Sequence, residues 1–278
     1  MKSYLIKHII SLSFLLFFSK ANCSNIDRGD WQTKNNSMVV KIDKSNNQKE
    51  LNNGIFITTL MKCGTYLLYK CVCLLKDDKN AVTVCAKNIP QALSFLKGRK
   101  DRILLWHMPF CPDAQLFELN NIRGLFIYRD PRDRIISAAY FVDHPGAHYY
   151  PELKKLSLDE RIFRFIKVVK RDYSHFIPWK ECSFVYSTKF EDLVGPYGNG
   201  NLVAQIREIT NIAEQIGITN LSEEKILDVA NRLFGKWTFR AGQVGAWKSH
   251  FNDEHKKAFK EIAGQLLIDL GYEKDLDW

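Results

Sequence analysis

The chain has 278 residues, 40 Lys and Arg against 31 Asp and Glu, a formal net charge of +9, and 46% hydrophobic and 13% aromatic residues. That apolar share excludes a disordered chain, 7 Cys are too few for a disulfide scaffold, and 15 Gly with 8 Pro exclude a collagen-like or linker-dominated one. The cationic balance points to an anionic partner, whether nucleic acid, membrane surface, or a phosphorylated or sulfated small molecule, without choosing among them.

Residues 1–23 have the layout of a secretory signal peptide: Lys2 and Lys7, an uncharged and mostly apolar run from Ile9 to Phe18, then Ala21-Asn22-Cys23 as a small-residue cleavage site. The run is shorter than the ~20 residues that span a bilayer, and Lys20 closes it, so no stable membrane span is predicted. An uncleaved anchor or a buried helix is the alternative. Cleavage removes three Lys and no acid, leaving +6. The expected location is the secretory pathway, or a secreted or periplasmic one, and the cytoplasm if the leader is not used. Cys63, Cys71, Cys73, Cys85, Cys111 and Cys182 then remain, an even number that permits disulfides. Burial as small apolar side chains accounts for them equally well. Cys71 and Cys73 lie two apart on a helix and should not pair with each other. No Cys or His spacing suits a metal, and none is expected.

Residues 24–53 form a polar arm rich in Asn and Lys, with no apolar period. From Gly54 the pattern changes. Gly54 to Thr59, Arg102 to Trp106, Gly124 to Tyr128 and Phe184 to Thr188 are short apolar runs that read as buried strands. Helices are predicted over Thr65–Leu75 and from Asp130-Pro131, with Asp as N-cap, to Phe141. Ser157-x-x-Glu160 is a capping box opening a helix to Asp172. Further helices cover Leu202–Ile216, Ser222–Leu233 and Asp253–Leu270, the last closed by Gly271. Strands alternating with helices imply a single α/β domain over residues 54–278, with a central parallel sheet flanked by helices.

In such a sheet, ligands bind beyond the carboxyl ends of the strands. The first strand runs into Leu60-Met61-Lys62-Cys63-Gly64-Thr65-Tyr66, a strand–turn–helix whose exposed amides and helix dipole favour an anion, with Lys62 adding a full charge and Thr65 a hydroxyl. It is not the nucleotide P-loop, where Lys follows the last Gly.

The loop resembles the first motif, YPKSGTTW, of sulfotransferases that use 3′-phosphoadenosine 5′-phosphosulfate (PAPS), which have a P-loop-like fold. By that resemblance Lys62, Cys63, Gly64, Thr65 and Tyr66 bind the phosphosulfate, and Lys62 stabilises the bridging oxygen as the sulfuryl group leaves. Met61 stands for Pro, Cys63 for Ser, Tyr66 for the second Thr, and Leu67 for the Trp that stacks on adenine. Tyr128-Arg129-Asp-Pro-Arg132-Asp-Arg134-Ile-Ile-Ser137 resembles the second motif, RNPxDxxxS; Arg129 and Ser137 would hold the 3′-phosphate. Arg132 and Arg134 are expected to be solvated. Phe239-Arg240-Ala241-Gly242 to Phe251 resembles RKGxxGDWKxxF, so Arg240, Ala241 and Gly242 would close over that phosphate, although Ala241 replaces a Lys and Ala246 an Asp.

Trp106-His107-Met108-Pro109-Phe110 is similar to the family's KTHLPF segment, whose His deprotonates the acceptor, a role that suits a side chain titrating near neutrality. The resemblance therefore implies sulfuryl transfer from PAPS to a hydroxyl or amine, with His107 and Lys62 catalytic and no metal. Phe141 to Tyr150 would wall the acceptor site or pack as a surface loop. Phe190-Glu191-Asp192-Leu193 resembles YEDL, with Phe for an adenine-contacting Tyr. The dimer segment of cytosolic members, KxxxTVxxxE, is not matched, and that dimer is not expected. The alternatives are a small-molecule kinase and an exported, non-catalytic anion- or nucleotide-binding protein of the same fold. The Lys and Arg are scattered and no nucleic-acid motif occurs, so a nucleic-acid partner is not expected. The diffuse remaining charge suits a small-molecule or glycan acceptor.

Overall fold

The structure, a computed structural model, describes residues 53–77, 82–84, 86–145, 147, 151–235 and 241–278. The expected leader, the polar arm before residue 53, Cys85, Arg240 and the end of the 141–150 loop lie outside the described residues.

In chain order the elements are β1 (Ile55–Thr58), α1 (Thr65–Lys76), β2 (Val82–Val84), α2 (Ile89–Leu96), β3 (Arg102–Trp106), α3 (Gln115–Leu119), β4 (Gly124–Tyr128), α4 (Pro131–Phe141), α5 (Leu158–Ser174), β5 (Val185–Lys189), α6 (Phe190–Leu193), α7 (Leu202–Gln215), α8 (Glu223–Leu233) and α9 (Asp253–Asp269). The strands form one five-stranded sheet in the order β2-β3-β1-β4-β5. Every pairing is parallel, with Phe56 beside Leu104 on one side and Gly124 on the other. The single α/β domain with a helix-flanked parallel sheet is as the apolar runs imply.

Alternation along the strands sends successive side chains to opposite faces. Phe56, Leu104 and Phe126 pack with α4, α5 and α9; Ile55, Ile57, Ile103, Leu125 and Ile127 pack with α1, α7 and α8. Gly124 is needed for close packing, because a Cβ there would fall 2.2 Å from the Phe56 ring. The helix boundaries follow local chemistry. Asp130 caps α4 by accepting from the Arg132 N–H, with Pro131 next to it. Ser157 and Glu160 form the expected capping box on α5, and Gly271 follows α9 with φ of 70°.

Four elements were not anticipated: β2, α2, and the short helices α3 and α6. β2 has three residues, too few to show alternation. α2 did carry a start signal: Asn88 accepts from the Gln91 N–H, and Pro90 sits in the first turn. The last strand lies one residue later than expected, and α6 follows it directly.

Chain order reverses between β1 and β4, which places a crevice at their carboxyl ends. Cys63, Cys71, Cys73, Cys111 and Cys182 are free thiols. Among the described residues, no helix is long and apolar enough to cross a membrane.

Candidate active site

The loop leaving β1 is fixed on both flanks. The Thr58 hydroxyl donates to the Met108 carbonyl at 3.2 Å, and that of Thr59 to the Ile127 carbonyl at 2.7 Å. These bonds stitch the end of β1 to the segments after β3 and along β4. The Cys63 N–H closes a turn on the Leu60 carbonyl at 3.2 Å. Lys62 and Gly64 both adopt positive φ, 72° and 108°. Gly64 has a second reason to be Gly: a Cβ would lie 2.7 Å from Phe190 and 3.0 Å from Ile127.

Gly64 is the N-cap of α1, gives it no side-chain cap, and the first turn holds no acid. First-turn N–H groups have no intrahelical acceptor and carry the positive end of the helix dipole. The expected strand, turn and helix start are present, and the helix is uncapped. The Lys62 ammonium lies 3.9 Å over the Phe141 ring. Thr65 is buried and Tyr66 exposed.

Arg129 leaves the end of β4 nearly buried. Its terminal nitrogen donates to the Gln243 carbonyl at 2.7 Å and lies 3.8 Å from Asp133. Its guanidinium lies 4.1 Å from the Phe190 ring centre. Its Nε is buried with no partner, a donor direction left over for a ligand. Ser137, half-buried, lies two turns along α4. Ala241 and Gly242, the latter with φ of 63°, immediately precede the Gln243 that meets Arg129. The second and third motifs are thus brought together, with Arg240 outside the described residues.

Asp133 ties them. Its two carboxylate oxygens accept the N–H groups of Gly245 at 2.8 Å and Trp247 at 2.9 Å. Burial pushes its pKa up, opposed by the Arg129 charge. Tyr173 ties the first motif to the second. Its hydroxyl donates to the Arg129 carbonyl at 2.6 Å and lies 3.6 Å from Cys63 Sγ. A carbonyl only accepts, so the Tyr173 proton points to Arg129 and the Cys63 thiol donates to the phenol oxygen. Burial raises both groups' pKa values, that of Cys63 against the lowering charge of Arg134.

Glu191 accepts from the Asp130 N–H and from the Tyr272 hydroxyl, each at 2.9 Å. Desolvation raises its pKa to about 7; the bond from the Asp130 N–H opposes this and the Asp130 charge adds to it.

His107 follows β3. Its Nδ1 lies 2.8 Å from the Thr59 carbonyl, three residues before Lys62. The ring keeps an exposed face while standing deep among protein atoms. The resulting desolvation lowers its pKa below 6.5; the Thr59 bond opposes that and the Lys62 charge assists it.

Arg132 and Arg134, expected to be solvated, are each 3% exposed. Arg132 binds Asp130 at 2.7 Å and Glu273 at 2.6 Å, between the rings of Trp247 and Trp278. Arg134 Nε donates to the Met61 carbonyl at 3.3 Å, and its terminal nitrogen faces Asp172 at 3.0 Å as an ion pair without hydrogen-bond alignment. Burial of a cation requires such partners, and here all but Asp130 come from distant segments. Leu67 is in the core, and Phe190 is occupied by Arg129 and Gly64. Phe141 stacks on His144. His250 Nε2 meets the Tyr140 hydroxyl at 3.1 Å across 110 residues, and His255 Nδ1 accepts from the Asn252 N–H at 3.3 Å. Among the described residues no group of three His, Cys, Asp or Glu could hold a metal.

No protein-family model matches the chain. It is 22% identical over 270 residues to a flavonol sulfotransferase-like protein of Flaveria bidentis, covering 79% of this chain and 83% of the relative. It is 31% identical over 200 residues to sulfotransferase 6B1 of Mus musculus, covering 62% of this chain and 61% of the relative. Mouse sulfotransferase SULT7A1 complexed with PAP superposes with a TM-score of 0.59 at 17% identity, over 80% of this chain and 86% of its own. Retinol dehydratase, complexed with androsterone and the inactive cofactor PAP, gives 0.57 at 16% identity, over 77% and 80%.

Proposed function

We propose that the chain is a sulfotransferase, like the relatives it resembles, and that it moves a sulfuryl group from PAPS to a hydroxyl, or an amine, with His107 as general base. The observation that carries the proposal is the His107 Nδ1 contact with Thr59 at 2.8 Å. The carbonyl accepts only, so Nδ1 holds the ring proton and Nε2 presents its lone pair. The lowered pKa keeps that lone pair free at neutral pH. The base is thereby joined through one residue's backbone to the loop carrying Lys62.

The residues also suit the donor. Arg129, with its orphaned Nε, and Ser137 would hold the 3′-phosphate, with the Ala241–Gly242 backbone beside them; the motif resemblance adds Arg240 to that set. The uncapped start of α1, Cys63 to Tyr66, would take the 5′-phosphosulfate. PAP in the SULT7A1 and retinol dehydratase structures supports PAPS as the donor. The donor, when bound, supplies an activated sulfuryl group whose S–O bond to phosphate breaks as the acceptor oxygen bonds to sulfur. His107 Nε2 takes the acceptor proton. Lys62 and the loop amides offset charge on the departing phosphate oxygen. The acceptor is a small molecule or a glycan.

The test is transfer of labelled sulfate from PAPS to phenols, alcohols, glycans and tyrosyl peptides, alongside binding of adenosine 3′,5′-bisphosphate (PAP) and ATP. Transfer with preference for the bisphosphate is expected. Absence of both sinks the proposal, and preference for ATP points to a kinase. We further place the enzyme in the secretory pathway by residues 1–23; an exported protein that still begins at Met1 would contradict cleavage.

A further inference from the structure

Four described non-glycine residues have positive φ, and three of them, Asp77, Asn121 and Asn199, are types that tolerate it. Lys62, with φ of 72°, is the exception. A Lys in the left-handed region persists only where its surroundings impose that conformation.

The flanking residues show what imposes it. On one side the Met61 carbonyl accepts from Arg134, and Arg134 is held by Asp172. On the other, Cys63 Sγ reaches the Tyr173 hydroxyl, which is fixed in turn on the Arg129 carbonyl. Cys63, Arg134, Asp172 and Tyr173 are all at most 3% exposed. Asp172 and Tyr173 are consecutive at the end of α5, a 17-residue helix packed on α4 and α9.

We propose that Asp172 and Tyr173 are positioning residues, a clamp that grips the anion loop on either side of Lys62 and holds the left-handed turn from which its ammonium serves the transferred group. Neither residue touches the reacting atoms. Tyr173 is itself anchored on the Arg129 carbonyl, so its hold on Cys63 is referred to the end of β4. This inference rests on the proposed donor chemistry for its kinetic consequence, though not for its structural one.

The experiment uses the full chain. Tyr173→Phe keeps the ring volume and removes both hydroxyl bonds. It is expected to lower kcat about tenfold while the donor KM changes less than about threefold. In a Lys62→Ala background the same change should cost less than about twofold more, because there is no ammonium left to place. A merely structural role would give equal losses in both backgrounds. Hydrogen exchange of the amides of residues 61–65, without ligand, should speed up about fivefold or more in Tyr173→Phe. Equal losses in the two backgrounds, or unchanged loop exchange, overturns the clamp. If the wild type transfers no sulfate, the donor chemistry fails and loop exchange alone decides the clamp. Asp172→Asn undergoes the same measurements if Tyr173→Phe does not fold.

Discussion

Glu191→Gln should stabilise the protein at alkaline pH and leave it unchanged in mild acid. The carboxyl is raised from 4.5 to about 7, first by desolvation and then by the neighbouring Asp130 charge; Arg129 and the Asp130 N–H offset only part of this. Its oxygens already have donors, the Asp130 N–H and the Tyr272 hydroxyl. The Gln amide keeps the first bond through Oε1 and meets the Tyr272 oxygen as a donor, so it mimics the protonated acid. A folded pKa above the unfolded value means the native state binds more protons. The stability this group contributes is therefore complete below pH 4.5 and is lost as pH rises through about 7. A displacement of that size corresponds to roughly 3 kcal/mol. In urea melts at pH about 8.5 the variant should lead the wild type by up to ~3 kcal/mol, a midpoint shift on the order of 1 M. The two should converge near the ordinary carboxyl pKa. A gap independent of pH, or a variant less stable in alkali, would refute the reasoning.

His107→Ala should lose about 10²–10⁴ in kcat with bisphosphate affinity within a few-fold of wild type. The wild-type rate should climb through a pKa below 6.5 and be flat above neutrality. Near-normal turnover, by initial rates, removes His107 from the mechanism. Gly64→Ala forces a Cβ to 2.7 Å from Phe190 at φ of 108°, at a cost of about 2–5 kcal/mol. Calorimetry should find no bisphosphate binding to it, and intact binding contradicts the assigned loop geometry. Arg132→Ala strands the Asp130 and Glu273 carboxylates. It should cost about 3–5 kcal/mol in denaturant melts, against about 0.5 for a solvated Arg, and a loss of that smaller size would restore the surface reading.

Sequence reading succeeded where the signal is local. β1 and β4 are buried along their whole length and β3 at its centre, so each carries an apolar run. Asp130-Pro131 and Ser157-x-x-Glu160 fix helix starts through bonds spanning two or three residues. The anion loop was legible for the same reason, since turn, Gly and helix start are contiguous. β2 was not, because three residues beside a polar stretch carry no period.

The failures share a different cause. Arg132 and Arg134 read as solvated because a cation is buried only when something pairs with it. Apart from Asp130 beside Arg132, their partners include Glu273, 141 residues away, and Met61, 73 away. Asp133 has a legible contact, the i,i+4 spacing to Arg129, yet its larger role, receiving the Gly245 N–H, spans 112 residues. The motif Tyr128 to Ser137 therefore mixes two populations of charge that a pattern cannot separate. Arg129 keeps an unpartnered donor, whereas Arg132 is taken up by two carboxylates and Arg134 by Asp172 and the Met61 carbonyl. What distinguishes them is whether the protein itself satisfies the guanidinium. By that criterion Arg129 is the guanidinium of this motif that keeps a donor direction the described residues do not take up.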